Sequence, residues 1–344
     1  MSSLGLIRRW IRAVRATPHP LAMLQLQRGL QSQGGLMCLR AIVATGIASE
    51  LQQPRTRDEI AVALGIDDPE RLLEPLLQLA VAVGHLRKRS GRYSPKSALA
   101  RAVVSESGKP IAAFLSEFTS YHADVFRNLG EQFDGEPPRD YLADYAGDVA
   151  TASRIIEPFI QSFIEPIVAG MEAPRVLEVG CGSGVFLRHY VACNPHVSGV
   201  AIDVDANVVE LARENLTRWE VGRAFEIRHE NILAPGESIN GPFDVITAFQ
   251  NLYYFTSDER VSWFSRVNKL LAEGGVFAIA SAFATEGGLG PYMAMVLGST
   301  KGCHALPERE LVLDELAHAG FESVVCSPLA PGPGGWGIEA RHNA

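Results

Sequence analysis

The residues best suited to chemistry lie in "VLEVGCGSGVF", Val176 to Phe186. An apolar run carrying Glu178 leads into Gly180, Gly182 and Gly184, a GxGxG turn from which a helix starts near Val185. Glycines let a backbone turn tightly and come close to a ligand, and the first amides of the helix point at whatever binds there. The spacing differs from the GxGxxG of dinucleotide sites. Downstream, "AIDVD" closes a second apolar run with Asp203, whose carboxylate can accept both hydroxyls of a ribose, and apolar Val204 follows to lie against a base. "RHENIL" then offers Asn231, an amide able to hydrogen-bond an adenine edge, with Ile232 beside it. The set points to a ligand that carries adenosine.

Such groups need a rigid platform. From Arg175 onward, "RVLEV", "SGVAI", "AFEIR", "FDVITAF", "GVFAIASA", "SVVC" and "GIEA" read as strands, while "ANVVELARENL" places Val208, Leu211, Ala212 and Leu216 on one helical face. This alternation predicts an α/β Rossmann-like domain, a mostly parallel seven-stranded sheet with helices on both faces. "PGPGG" at 331–335 reads as a turn.

The N-terminal half has another texture. "GLIRRWIRAVRA" and "LAMLQLQRGL" read as two amphipathic helices, and Gly35 to Ala48 as a buried one. Thr56 with Glu59 forms a capping box ahead of a short helix that Gly65 can stop. Asp68 and Pro69 then suit the N-cap and first turn of a helix with Leu72, Leu73, Leu76 and Leu77 on one stripe. "HLRKRSGRYS" alternates about Ser90 and Gly91 as a hairpin does, which completes a winged-helix pattern. The helix in the recognition position carries only Arg71 as a base, and Arg87, Lys88, Arg89 and Arg92 on the wing are the only basic cluster, so packing in a dimer interface is favoured over DNA reading. From about 105 to 170 come helices bearing Phe114, Phe118, Tyr121, Phe126, Phe133, Tyr141, Tyr145, Phe159 and Phe163, expected mainly as core. The divisions expected are 1–104, 105–172 and 173–344.

With 344 residues the chain can bury two cores, and its net charge of -8 argues against partners gripped through a broad basic surface, nucleic acid included. No apolar run approaches the ~20 residues of a bilayer span. The five cysteines lack CxxC or regular spacing, which suggests neither a metal site nor a disulfide framework and fits a cytoplasmic protein. Before Glu50 there are six arginines, Arg8, Arg9, Arg12, Arg15, Arg28 and Arg40, and no acid, a pattern read as a dimerisation arm in preference to a targeting segment.

On these residues the chain resembles the class I S-adenosylmethionine (SAM)-dependent methyltransferases across roughly 175 to 342. "EVGCGSG" is similar to their first motif, "AIDVD" to the ribose-binding second, "HENI" to the adenine-binding third, where Asn231 replaces the usual Asp, and "LLAEGGVFAIA" to the turn before the fifth strand. The resemblance implies SAM as cofactor, held by Glu178, Gly180, Gly182, Gly184, Asp203, Val204, Asn231, Ile232 and Gln250. With the N-terminal half it extends to the small-molecule O-methyltransferases of secondary metabolism that have a winged-helix dimerisation domain. It implies a homodimer and an acceptor pocket lined by Tyr253, Tyr254 and Met293.

Those enzymes keep a histidine base in a phrase that ends in acidic residues and Arg. Matching "SDER" to that ending puts Tyr254 at the histidine's place, and a neutral phenol is a poor base. His304 is the alternative base, and His229 belongs to the adenine end. The expected reaction is methyl transfer to a small aromatic or conjugated metabolite, with oxygen the favoured acceptor atom. Carbon or nitrogen methylation, and a SAM-binding enzyme or regulator without methyl transfer, stand as alternatives.

Overall fold

The computed structural model describes residues 3–234, 239–285, 287, 289–330 and 335–342. The "PGPGG" turn lies outside them except for Gly335. Two compact units emerge, Met1–Ala123 with Tyr145–Ser153, and Asp124–Asp144 with Arg154–Ala344.

The first unit begins with α1 (Ser3–Ala16) and α2 (Pro20–Ala44), followed by α3 (Ile47–Glu50). The two helices expected between "LAMLQLQRGL" and Ala48 are one. α2 runs unbroken through Gly34 and Gly35, and the bend falls at Gly46, whose φ is +79°. A helical glycine costs only about 1 kcal/mol, and burial of Cys38, Leu39 and Ile42 offsets it. β1 (Arg55–Thr56) leads into α4 (Arg57–Leu64), where the Thr56–Glu59 capping box is complete and Gly65 ends the helix in the left-handed region. Asp68 is not the cap of the next helix. It accepts from the Arg71 amide at 3.3 Å within a turn, and α5 (Leu73–Ala82) starts later. β2 (Leu86–Arg89) and β3 (Arg92–Pro95) form the hairpin, with Ser90 and Gly91 both at positive φ, and the sheet order is β1-β3-β2. Ile42, Ile60, Leu77, Leu86 and Tyr93 fill this core.

Helices α6 (Ala98–Val104) and α7 (Lys109–Glu117) run into a π turn, Phe118–His122. α8 (Ala123–Phe133) and α9 (Tyr141–Asp144) carry the chain into the second unit, and α10 (Ala146–Ala152) returns to the first. The aromatics expected here as core divide: Tyr121 and Tyr141 are buried, whereas Phe114, Phe118, Phe126, Phe133 and Phe159 are exposed.

The second unit is built on a seven-stranded sheet of order β6-β5-β4-β7-β8-β10-β9. Its strands are β4 (Arg175–Val179), β5 (Ser198–Asp203), β6 (Phe225–His229), β7 (Phe243–Phe249), β8 (Leu271–Ala282), β9 (Ser323–Pro328) and β10 (Gly335–Arg341). β6 through β8 are parallel, and β10 pairs antiparallel with both β8 and β9. The helices are α11 (Glu157–Ala169), α12 (Val185–Cys193), α13 (Ala206–Arg218), α14 (Ser257–Leu270), α15 (Leu289–Gly298) and α16 (Arg309–His318). Alternate strand residues serve opposite faces. Leu177, Val179 and Ile246 pack with Trp263, Phe264 and Leu316, while Val176, Ala201 and Val245 pack with Ile164, Leu187 and Ala212. α12 follows β4 and α14 follows β7 onto opposite faces, so the exits of these neighbouring strands diverge and leave a crevice. Among the described residues no helix is long and apolar enough to cross a membrane.

Candidate active site

The crevice floor is the glycine loop. Gly180, Gly182 and Gly184 have φ of +72°, +53° and +77°, a region closed to most side chains. Their surroundings differ. A Cβ on Gly184 would meet Leu216 Cδ1 of α13 at 2.7 Å, and one on Gly180 would meet Asn251 Nδ2 at 2.9 Å, but one on Gly182 would meet nothing within 4 Å. Gly180 and Gly184 therefore let the loop pack against its neighbours, and Gly182 faces open space. The amides of Gly180 and Cys181 donate to Ile202 O at 2.9 and 3.0 Å, and the Gly182 amide donates to Asp203 Oδ2 at 3.0 Å.

Asp203 thus does two jobs at the end of β5. Oδ2 fastens the loop, and Oδ1 accepts from the Asp205 amide at 3.1 Å. Each oxygen keeps a lone pair for a ligand hydroxyl. Val204 is 63% exposed, an apolar surface beside the carboxylate. His229 is engaged through Nε2 with Val204 O at 3.0 Å, which ties β6 to this turn. Asn231 accepts from the Leu233 amide at 2.9 Å, leaving its exposed amide group as the donor. Ile232 is placed otherwise than its neighbour, buried in the core with Ile239.

Under the loop lies a buried polar group that sequence reasoning treated only as a ligand contact. Glu178 is buried, and its Oε2 has no hydrogen-bond partner. Burial pushes its carboxyl up to about 8; the Tyr190 hydroxyl works against this and nearby Asp203 adds to it. The Tyr190 oxygen also lies within hydrogen-bond distance of Thr247 Oγ1, at 3.1 Å. Asn251, absent from the expected set, donates through Nδ2 to Val179 O at 2.7 Å and leaves a buried Oδ1 unmatched. It couples the exit of β7 to the glycine loop. An Asn in the apolar run after a strand was the available signal.

Gln250 ends β7 at φ +53°, with its amide donating to Ala280 O at 2.7 Å. The next turn, Leu252–Tyr254, presents the two tyrosines with ring centroids 4.7 Å apart. Tyr253 packs with Met293, Leu142, Ala282 and Ala284 around Leu297, Cys303 and Leu306. Its carbonyl accepts from the His304 amide at 2.7 Å, so Tyr253, Met293 and His304 converge. Tyr254 is 42% exposed, and the His304 side chain is exposed too.

"TSDER" has a structural role that reading it as a motif ending did not show. Thr256 and Glu259 form a second capping box at the start of α14. Arg260, buried, donates to Glu315 of α16 through Nε at 2.7 Å and Nη2 at 2.8 Å, and through Nη1 to Phe255 O at 2.8 Å. Ser257 adds a 2.6 Å bond to Glu315. Arg260 is a positioning residue for the tyrosine turn.

Comparison with known proteins agrees with this geometry. Residues 177–277 match the methyltransferase domain family. A malonyl-[acyl-carrier protein] O-methyltransferase of Geobacter sulfurreducens is 26% identical over 196 residues, 53% of this chain and 67% of that protein. An O-methyltransferase family protein of Burkholderia thailandensis has the same fold at a TM-score of 0.73 and 18% identity, covering 96% of this chain and 99% of that one. CalO1, a methyltransferase in calicheamicin biosynthesis, does so in its SAH-bound form, with a TM-score of 0.68, 20% identity and coverage of 95% and 100%.

Residues 177–277 therefore form a SAM-dependent methyltransferase domain within the second unit. SAM is its cofactor, and the residues fit it: an open cradle at Gly182, lone pairs on Asp203, an exposed apolar Val204, and two buried unmatched oxygens, Glu178 Oε2 and Asn251 Oδ1.

Proposed function

We propose that the chain methylates an oxygen of a small aromatic or conjugated metabolite, through alignment and exclusion of water, without a histidine base. SAM supplies a methyl group on a positively charged sulfur. Asp203 would hold the ribose hydroxyls, Val204 and the Asn231 amide the adenine, and Gly182 would let the backbone come close. Tyr253 and Met293 would hold the acceptor oxygen in line with that methyl group, and an acceptor that enters already ionised would have left its proton in solvent.

The observation that carries this reading is the Tyr253–Met293 cluster, built on the turn after β7, the strand that pairs with β4 and its glycine loop. Tyr253 and Met293 give an apolar face suited to a flat acceptor, and Tyr254 stands where the resembling enzymes keep histidine. A phenol there can donate a hydrogen bond but cannot remove a proton at neutral pH. Alignment alone can supply much of the barrier reduction when the acceptor is acidic enough to ionise. Incubation with SAM and a panel of phenols, enolisable carbonyls and amines, followed by mass spectrometry, tests it. Phenols or enols are expected to gain one methyl group on oxygen, and methylation confined to amines or carbon would refute the assignment.

The same reading makes the chain a cytoplasmic homodimer joined through its N-terminal domain, residues 1–104, with 105–172 as pocket cap. The apolar residues exposed along α2, Leu21, Met23, Leu24, Leu26 and Leu30, support a protein partner. They are spread around the helix, as at a surface enclosed by other helices. Light scattering should report twice the chain mass.

A further inference from the structure

Helix α1 is built differently from α2. Leu6, Ile7, Trp10 and Val14 stand exposed at the i, i+4 and i+7/8 spacing of one helical face, with Trp10 70% exposed. Arg9, Arg12 and Arg15, also exposed, occupy the other face. No acid balances them: the first acidic residue of the chain is Glu50, although the chain as a whole carries a net charge of -8.

We propose that α1 lies in the headgroup layer of an anionic membrane surface, its apolar face among the acyl chains and its arginines on the lipid phosphates. A segregated apolar face, an arginine-rich polar face and a Trp at the boundary are the properties that hold a helix in that layer. The charge decides between occupants. In an isologous contact with a second copy, apolar face meets apolar face and the arginines on the far side gain no partner, whereas an anionic surface gains from each arginine. The chain thereby docks a methyltransferase on a membrane without spanning it, which places an amphiphilic acceptor within reach of enrichment at that surface.

The test is co-sedimentation of the full chain with vesicles of pure phosphatidylcholine or with about 30 mol % phosphatidylglycerol. Binding to the anionic vesicles is expected, with loss at about 0.5 M salt. Trp10→Glu should weaken it about tenfold or more, and Arg9→Gln, Arg12→Gln and Arg15→Gln about fivefold each. Trp10→Phe should retain binding while losing the quenching of Trp10 fluorescence by brominated lipid. SAH affinity should be unchanged in all of them, which confirms that they fold. Failure of the anionic vesicles to carry the protein down, or equal pelleting of Trp10→Glu, overturns the proposal. If Trp10→Glu halves the particle mass in light scattering and leaves vesicle binding intact, the face belongs to a second copy and the proposal is wrong.

Discussion

The two ends of the crevice are built on opposite plans. At the cofactor end a single short loop does the work, its amides fixed to β5 by Ile202 O and Asp203. At the proposed acceptor end the wall is a cluster assembled from distant segments, Leu142, Tyr253, Ala282, Met293 and Cys303, and one ion pair, Arg260 with Glu315, anchors the tyrosine turn. The first plan suits a constant ligand, because backbone geometry fixes the fit. The second suits a ligand that varies, because each segment can change by itself.

The contrast can be broken most severely at Arg260. Arg260→Ala leaves Glu315 buried and unpaired, and should cost about 3–5 kcal/mol in urea unfolding; replacing both partners by apolar residues should recover most of it. A loss under about 1 kcal/mol would mean that the pair does not anchor the turn. The glycines come next. Gly184→Ala should destabilise the fold by about 1–3 kcal/mol, through positive φ and contact with Leu216. Gly182→Ala should cost about 1 kcal/mol in stability yet weaken SAH binding about tenfold; equal behaviour of the two would erase the distinction between packing and ligand-facing glycines.

A smaller effect is expected from Glu178. The buried carboxyl stays protonated up to about 8 in the folded chain, against the ordinary 4.5 when unfolded. The unfolded chain gives up this proton first, so Glu178 makes stability fall as pH rises from 4.5 to about 8, and the fall ends above that. Glu178→Gln should flatten that part of the thermal-midpoint profile, and an unchanged slope would assign the carboxyl no such role. Smallest of all, Tyr254→Phe and His304→Ala should each change turnover of a phenolic acceptor by less than about threefold. A drop of about a hundredfold or more in either would make that residue a general base or acid.

The sequence was most legible where a feature depends on neighbours along the chain. All seven strands of the large sheet appear where apolar runs predict them, and both halves of the Thr56 capping box form. Legibility failed where tertiary partners decide. Nothing local pairs Arg260 with Glu315, matches Asn251 to Val179, or turns Ile232 inward while Asn231 stays exposed. Gly34 and Gly35 read as a break only until the burial of their helix is known.

The central claim is that the glycine loop and Asp203 form the SAM site, and calorimetric titration of the full chain with SAH tests it most directly. Wild-type protein should bind one SAH per chain, and Asp203→Ala about a hundredfold more weakly with its cooperative unfolding retained. No heat from the wild type, or equal affinity in the variant, would contradict it.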